Sequence, residues 1–342
     1  MGARPSARTL TILAPGLLGP VPLLPEHAPV TPALNQVLAR GLAIESVGPS
    51  SSRQGRAADL LHRFQAAASA PYERTIDEPG WDRCGHVLHA DPVHLRADRD
   101  RLRLFGARHL GISRVEADAL VSEVNAFIKP DGLSLVAPLV SRWYLEAKQP
   151  LPLSARPLEE VIGRAIDRQF FSGEGASRWN ALMTEVQMLL FQAPVNRDRE
   201  ARGQPIVNAL WPWGGGEWRA LQAPPSLSRI CADDPLARGL AGASGLETAA
   251  RDALTAGGGT LLVETALAES VQDADEVTWR GAVEALERDV SSALGWLRTG
   301  EIDALILDLC DGRRWEVDRG RLRRFWIRGR ALAERVAGLA VA

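Results

Sequence analysis

The chain has 342 residues, 46% hydrophobic and 24% charged, and its 40 Lys plus Arg against 42 Asp plus Glu leave a formal net charge of −2. That composition excludes disordered, fibrous and membrane-embedded chains and leaves room for one large α/β domain or a core carrying an insertion. No global field favours nucleic acid or an anionic lipid surface, so neither is expected as a partner.

In chain order, Thr9 to Leu13 is a short apolar, β-branched run ended by Pro15-Gly16, which predicts a buried first strand feeding a loop. The apolar stretch from Leu10 to Leu24 is broken by Pro15, Pro20 and Pro22 and does not reach membrane-spanning length. A helix is predicted from Pro32, with Thr31 able to cap it and Gly41 to stop it, and another from Arg56 to Ala68. Pro71, Pro79-Gly80 and Gly85 then loosen the chain.

From Gly80 to Gln149 the pattern is short strands, one helix and more strands. Val93 to Ala97 and Arg101 to Phe105 flank Asp98-Arg99-Asp100 and read as a hairpin. A helix runs through Leu120, Val124 and Ile128, then strands Leu133 to Ala137 and Ser141 to Leu145. This predicts a small α+β domain, residues 80–152, inserted into a core made of residues 1–79 and 153–342, with Gln149-Pro150-Leu151-Pro152 as the linker.

Helices from Pro157 to Phe171 and Ala176 to Phe191 precede a strand, Ile206 to Trp211, that runs into Pro212-Trp213-Gly214-Gly215-Gly216. A helix from Gly245 to Thr255, a strand Thr260 to Glu264, a helix Thr278 to Leu297, a strand Ala304 to Asp308 and a closing hairpin and helix complete the chain. In the helix from Thr278, Trp279, Val283, Leu286, Val290, Leu294 and Leu297 form one apolar stripe. Alternating helices and buried strands predict a mostly parallel sheet covered on both faces.

Cys84, Cys231 and Cys310 are scattered without CxxC spacing, so neither a disulfide framework nor a zinc knuckle is indicated, and a reducing cytoplasm is the simplest compartment. Cys84, His86, His89 and His94, with Asp91, form a local run that could hold zinc, but the spacing matches no standard module and loop and strand residues are the simpler reading. Glu269, Asp273, Asp275 and Glu276 read as a solvated acidic loop, with Asp275 placed to favour a helix dipole. The ten tryptophans, several crowded at Trp211, Trp213 and Trp218, read first as packing residues.

Several segments, taken in order, resemble the archaeal-type cofactor-independent phosphoglycerate mutases of the alkaline phosphatase superfamily. They are Thr31-Pro32-Ala33-Leu34 with Leu38 to Gly41; Arg96, then Gly111-Ile112-Ser113 with Glu116-Ala117; Ser141-Arg142; and Pro194-Val195-Asn196, Arg199, Gly203, Asn208 and Leu210 to Gly216. The similarity extends to Asp234 through Gly245 and to the helix with Glu287 and Asp289, about four-fifths of the chain, each motif being weak by itself. Within that superfamily the chain looks closest to bacterial phosphoglycerate mutase-like proteins of the regulatory RpfE type. The resemblance implies an alkaline-phosphatase-like α/β core with a small inserted α+β domain, and a site where a hydroxyl nucleophile works beside two divalent metals.

Against that pattern the chemical residues are missing. Pro15-Gly16 and Gly19 stand where the resemblance implies aspartates, and Gly55 to Ala68 contains no Ser or Thr, although Asp59 and His62 remain. Ser50, Ser51 and Ser52 lie upstream, beside Pro49, in ordinary turn chemistry. Thr265 to Ser270 replaces an aspartate and histidine cluster, Asp308-Leu309 replaces Asp-His, and no histidine follows His109.

What remains is Arg96 and Arg142, at positions where the resemblance implies substrate phosphate is held, and the run Asn208, Trp211, Trp213 and Gly214 to Gly216 at the end of a strand. The expectation is a non-catalytic regulatory or ligand-binding protein with a degenerate metal site and no cofactor, taking a small phosphorylated or carboxylate ligand or a protein partner. The alternative is an enzyme with relocated catalytic residues, for which Asp59, His62 and Asp308 are the candidates.

Overall fold

The computed structural model describes residues 8–45, 55–98, 101–151, 155–166 and 176–340. Ser50 to Ser52, the Arg99-Asp100 turn and Pro152 lie outside the described residues. The chain divides into two compact units, Met1–Gln65 with Leu221–Ala342, and Ala66–Ala220. The insert limits read from sequence, residues 80 and 152, both fall inside the second unit.

The first unit opens with β1 (Thr9–Leu13), α1 (Pro32–Arg40), β2 (Leu42–Glu45) and α2 (Arg56–Phe64). The second comprises α3 (Ala70–Asp77), β3 (His86–Asp98), β4 (Arg101–Gly106), α4 (Arg114–Ile128), β5 (Leu133–Leu139), β6 (Arg142–Ala147), α5 (Leu158–Val161), β7 (Ala165–Ile166), α6 (Ala176–Gln192), α7 (Pro194–Ala201) and β8 (Ala209–Glu217). The first then resumes with β9 (Arg229–Cys231), α8 (Pro235–Ser244), β10 (Glu247–Ala249), β11 (Thr260–Val263), α9 (Ala266–Gln272), α10 (Glu276–Thr299), β12 (Ala304–Asp308), β13 (Arg313–Asp318), α11 (Arg319–Leu322) and α12 (Leu332–Ala340).

The first unit is mixed α/β. Its sheet runs β10-β9-β11-β1-β12-β13-β2, parallel from β10 to β12 and antiparallel at β13 and β2. Because side chains alternate across a strand, Leu10, Ile12, Leu305 and Leu307 point into one core, where they meet Leu34 and Val37 of α1 and Val336 of α12. The predicted α10 stripe supplies the rest, from Trp279 to Leu297, and every member of it is buried. The opposite parity, Thr9, Thr11, Ile306 and Asp308, faces a cleft.

One polar contact fixes how α1 enters this core. Thr31 makes no side-chain cap bond, contrary to the expectation from sequence. The Glu287 carboxylate of α10 accepts instead from the α1 backbone, from the Ala33 N–H at 2.6 Å and the Leu34 N–H at 2.9 Å. A side chain distant in sequence thus satisfies two orphan donors and places negative charge at the positive end of the helix.

Local punctuation explains the elements whose limits differ from the predicted ones. The helix expected over Gly245 to Thr255 ends where it was expected to start: Asp234 caps α8 by accepting from Ala237 N–H at 2.8 Å, and Gly245 terminates it at φ +71. The helix predicted from Pro157 stops at Val161, because Gly163 turns at φ +73 and its N–H donates to Leu104 O of β4 at 2.9 Å. Pro71, read as a loosening signal, occupies the first turn of α3, where its missing N–H costs nothing.

In the second unit the sheet order is β5-β6-β3-β4-β7, all antiparallel, with β8 also pairing β3. Ala90 and Leu145 pack towards α4 and α6 on one face, while Val93, Trp211 and Trp213 pack towards α5 on the other. The glycine run predicted to follow a strand lies within one: β8 continues through Pro212 to Glu217.

Replacing Glu287 with Ala should lower the unfolding free energy by about 1–3 kcal/mol, since a charged acceptor of two backbone donors is lost. The urea midpoint is the measurement, and an unchanged midpoint would show that water replaces the carboxylate without loss.

Candidate functional site

Asp59, His62 and Asp308, the catalytic candidates from sequence, line one cleft of about 570 Å³ in the first unit. Helix α2 brings the first two, which lie one turn apart, and the C-terminal end of β12 brings the third. Thr9, Thr11, Gln65, Ser226, Cys310 and Arg314 complete its polar wall.

Sequence reasoning missed the residue that organises this cleft. Arg63 pairs with Asp59 through Nε and reaches Asp308 Oδ2 with its terminal nitrogen at 2.7 Å, so one guanidinium spans two carboxylates. Its i,i+4 spacing from Asp59 was visible, but the approach of Asp308, 245 residues away, was not. The Asp308 side chain is only 11% exposed. Burial and the nearby Asp59 charge push its carboxyl above the usual range, against the Cys310 N–H that donates to Oδ1 at 3.0 Å and the Arg63 charge. Burial works against the Arg63 cation, but Asp59 and Asp308 outweigh it and hold the guanidinium above its ordinary value.

The chain beyond β1 packs closely against α9. Gly16 has φ +86 and a Cβ there would lie 2.8 Å from the Leu267 backbone at the start of α9. Gly16 O also accepts from Trp279 Nε1 at 3.0 Å. Glu264, at the end of β11, accepts from Arg251 at 2.9 Å, and Arg251 also reaches Asp289 at 2.7 Å. Backbone and an indole thus pack at the end of β1, and an arginine at the end of β11.

In the second unit the structure does not gather the anion-binding candidates. Counting along β3, Arg96 and the residue opposite Arg142 differ in parity, so the two arginines lie on opposite faces of the sheet. Arg96 stacks over Phe105 at 4.9 Å, and Arg142 pairs with Asp77 and lies 3.8 Å from Glu73. Asn208 bonds the Leu95 backbone in both directions, at 2.7 and 2.9 Å, which extends the sheet by side chain. Trp211 Nε1 donates to Arg156 O at 2.9 Å and Trp213 Nε1 to Asp91 Oδ2 at 2.8 Å.

The three glycines are packing devices. The β3–β8 register shifts between Val87 and His89, Gly214 sits at φ +63, and side chains on the three would collide with Ser69, Leu88 and Ala68 respectively. Bare backbone lets α3 and β3 approach β8.

The Cys84, His86, His89 and His94 set is not brought together. Cys84 is exposed, His94 Nδ1 is 2.9 Å from Ile206 O, and His89 points to the opposite face from His86 and His94. Among the described residues no group of three His, Cys, Asp or Glu side chains comes close enough to hold a metal ion.

His89 instead belongs to a buried polar cluster. It is 0% exposed, stacked on Trp213 at 4.2 Å and tilted against Tyr144 at 5.0 Å, with Nε2 at 3.4 Å from Glu73 Oε1. Asp77 accepts from Tyr144 Oη at 2.6 Å, and Asp91 accepts from Trp143 N–H at 3.3 Å. Burial alone would push the imidazole pKa down, but Glu73 and Asp91 overcome it and raise it, while desolvation raises that of Asp91.

No family model matches the chain, and no curated protein matches it. Among solved structures it is similar to a cofactor-independent phosphoglycerate mutase from Thermoplasma acidophilum at 14% identity, over 98% of this chain and 100% of that one, with a TM-score of 0.41. It is also similar to the PH0037 protein from Pyrococcus horikoshii at 15% identity, over 91% of this chain and 86% of that one, with a TM-score of 0.47. No described helix is long and apolar enough to cross a membrane.

Folding raises the proton affinity of both His89 and Asp91, so unfolding releases protons. Their contribution is fully present below the unfolded value, near 6.5 for the imidazole and 3.8 for the carboxyl, and is lost as pH rises through the folded one. Urea unfolding at a series of pH values above 6.5 should therefore show declining stability from His89, and His89→Gln should flatten that decline. A slope unaffected by the substitution would assign it to another group.

Proposed function

We propose that this chain is a non-catalytic phosphoglycerate mutase-like protein, of regulatory character, that holds a small phosphorylated or carboxylate ligand in the cleft of its first unit. The observation that carries the reading is the Arg63 guanidinium between Asp59 and Asp308. Two carboxylates converging on a point would favour a divalent cation, and here the protein supplies the positive charge itself. The filled end of β1 and the Arg251 grip on Glu264 support the same reading, as does the sequence resemblance with its missing nucleophile and metal ligands.

The rest of the wall suits an anion. Arg314 brings a second guanidinium, and Thr9, Thr11, Gln65 and Ser226 bring hydroxyl and amide donors to the same space. Fold similarity does not transfer an activity; the role follows from what these side chains can bind.

A second reading, an enzyme with relocated chemistry, is favoured by the shared cleft of Asp59, His62 and Asp308 and by the raised Asp308 carboxyl, which would keep a proton available as a general acid. Incubation with manganese and 3-phosphoglycerate separates the two. The proposal expects no 2-phosphoglycerate above the blank, and turnover that a chelator abolishes would refute it. On the enzyme reading, Asp308→Asn should lower any turnover at least about a hundredfold.

Binding has its own measurement. Phosphate or 3-phosphoglycerate at about a hundred times its dissociation constant should stabilise the chain by about 2.7 kcal/mol in thermal unfolding, and Arg314→Gln should remove most of that gain. A midpoint unmoved by either anion would leave the cleft without the proposed ligand class.

A further inference from the structure

The near-neutral charge of the whole chain conceals a local imbalance. From Arg319 to Arg330 the sequence reads RGRLRRFWIRGR, six arginines in twelve residues with no acid among them. Several arginines elsewhere meet carboxylates, among them Arg63, Arg142 and Arg251. In this segment none of the arginines forms an ion pair among the described residues. Arg319 Nε donates only to Leu297 O, at 2.8 Å, and Arg298, which faces the same place from the end of α10, reaches the neutral Gln36 at 3.5 Å.

Arg323, Arg324, Arg328 and Arg330 are all exposed. Just beyond the segment, burial and then the charges of Arg330 and Arg313 lower the proton affinity of Arg335.

Two large aromatic side chains are exposed in the same stretch. Phe325 is 75% and Trp326 67% exposed, and their rings meet edge to face at 5.3 Å. Phe325 also forms one wall of a concavity of about 430 Å³ whose other walls are Arg298, Arg319, Leu322 and Arg323. A recess with three guanidinia and an aromatic wall fits a phosphate group joined to a planar ring. Arg324, Arg328 and Arg330 follow in the chain, are exposed and do not line the recess.

We propose that the segment from Arg319 to Arg330, with Arg298, is a docking surface for single-stranded nucleic acid, the arginines tracking the phosphates and Phe325 and Trp326 stacking on bases. This combination of cationic strip and exposed rings binds single strands with little sequence preference and a marked dependence on salt. Two adjacent exposed rings beside the cations, able to stack on successive bases, favour this partner over a lipid head group, which offers phosphate but no planar base.

Fluorescence anisotropy with a labelled oligothymidylate of about twelve nucleotides tests it on the full chain. The expected result is binding that weakens about tenfold or more between about 50 and about 300 mM KCl, with quenching of tryptophan emission. The triple variant R323E/R324E/R328E should lose binding, and F325A/W326A should weaken it about tenfold, with circular dichroism unchanged in both. No binding at the lower salt, or binding indifferent to both variants, would overturn the proposal. So would adenosine monophosphate binding as tightly as the oligomer, which would make the recess a nucleotide pocket. Sedimentation with phosphatidylserine vesicles in place of oligomer binding would assign the surface to a membrane and equally overturn it.

Discussion

The cost of removing a carboxylate from water governs how this chain is put together. Glu73, Asp91, Asp234, Glu264 and Asp308 are all buried, and each would be strongly destabilising if left alone. Four of the five meet an arginine: Glu73 faces Arg142, Asp234 faces Arg56, Glu264 faces Arg251 and Asp308 faces Arg63. Asp91 is neutralised differently, by two N–H donors and the nearby His89. Arginine suits this use because its guanidinium stays charged and can serve two carboxylates at once, as Arg63 and Arg251 both do.

That constraint separates scaffold from chemistry. The sheet of the first unit needs only alternating apolar residues on one parity of β1 and β12 and a covering stripe on α10, and the chain retains both. The other parity of the same strands, Thr9, Thr11, Ile306 and Asp308, is free of that duty and lines the cleft. One pair of strands thus carries core packing on one side and binding groups on the other. The two sets are separate, so the cleft side can vary in chemistry without disturbing the packing side.

The sequence reveals features of short range far better than those of long range. The β1, β11, β12 and α10 segments were legible because apolar periodicity is written into consecutive residues, and the hairpin of β3 with β4 because a turn separates two strand-like runs. Asp59 and His62 were recognisable as neighbours on one helix. Arg63 escaped notice because its role depends on Asp308, which only the β12 strand brings near. The Glu287 cap was hidden for the same reason, and Thr31, the local alternative, was preferred. Gly214 to Gly216 read either as backbone open to close approach by a ligand or as a tight turn packed by tryptophan, and in the structure they belong to a bulged strand that its neighbours approach closely. Sheet parity was equally hidden: the β3 register puts Arg96 and Arg142 on opposite faces.

Net charge says nothing about how charge is distributed. Forty basic and 42 acidic residues sum to near neutrality, yet an electrostatic field depends on where charges sit. All but two of the basic residues are arginine, the exceptions being Lys129 and Lys148, so arginine must serve both as internal counter-ion and as surface cation. In the interior, desolvation forces each buried guanidinium to find a carboxylate. At the surface from Arg319 to Arg330 water solvates the charges, so pairing is not compelled, and the absence of any acid there is unexplained by folding. Exposed Phe325 and Trp326 in the same stretch are equally unexplained by folding, because neither contributes to the core. Arginines without an ion pair among the described residues and uncovered aromatic area coincide on one short segment, and the proposed docking surface rests on that coincidence.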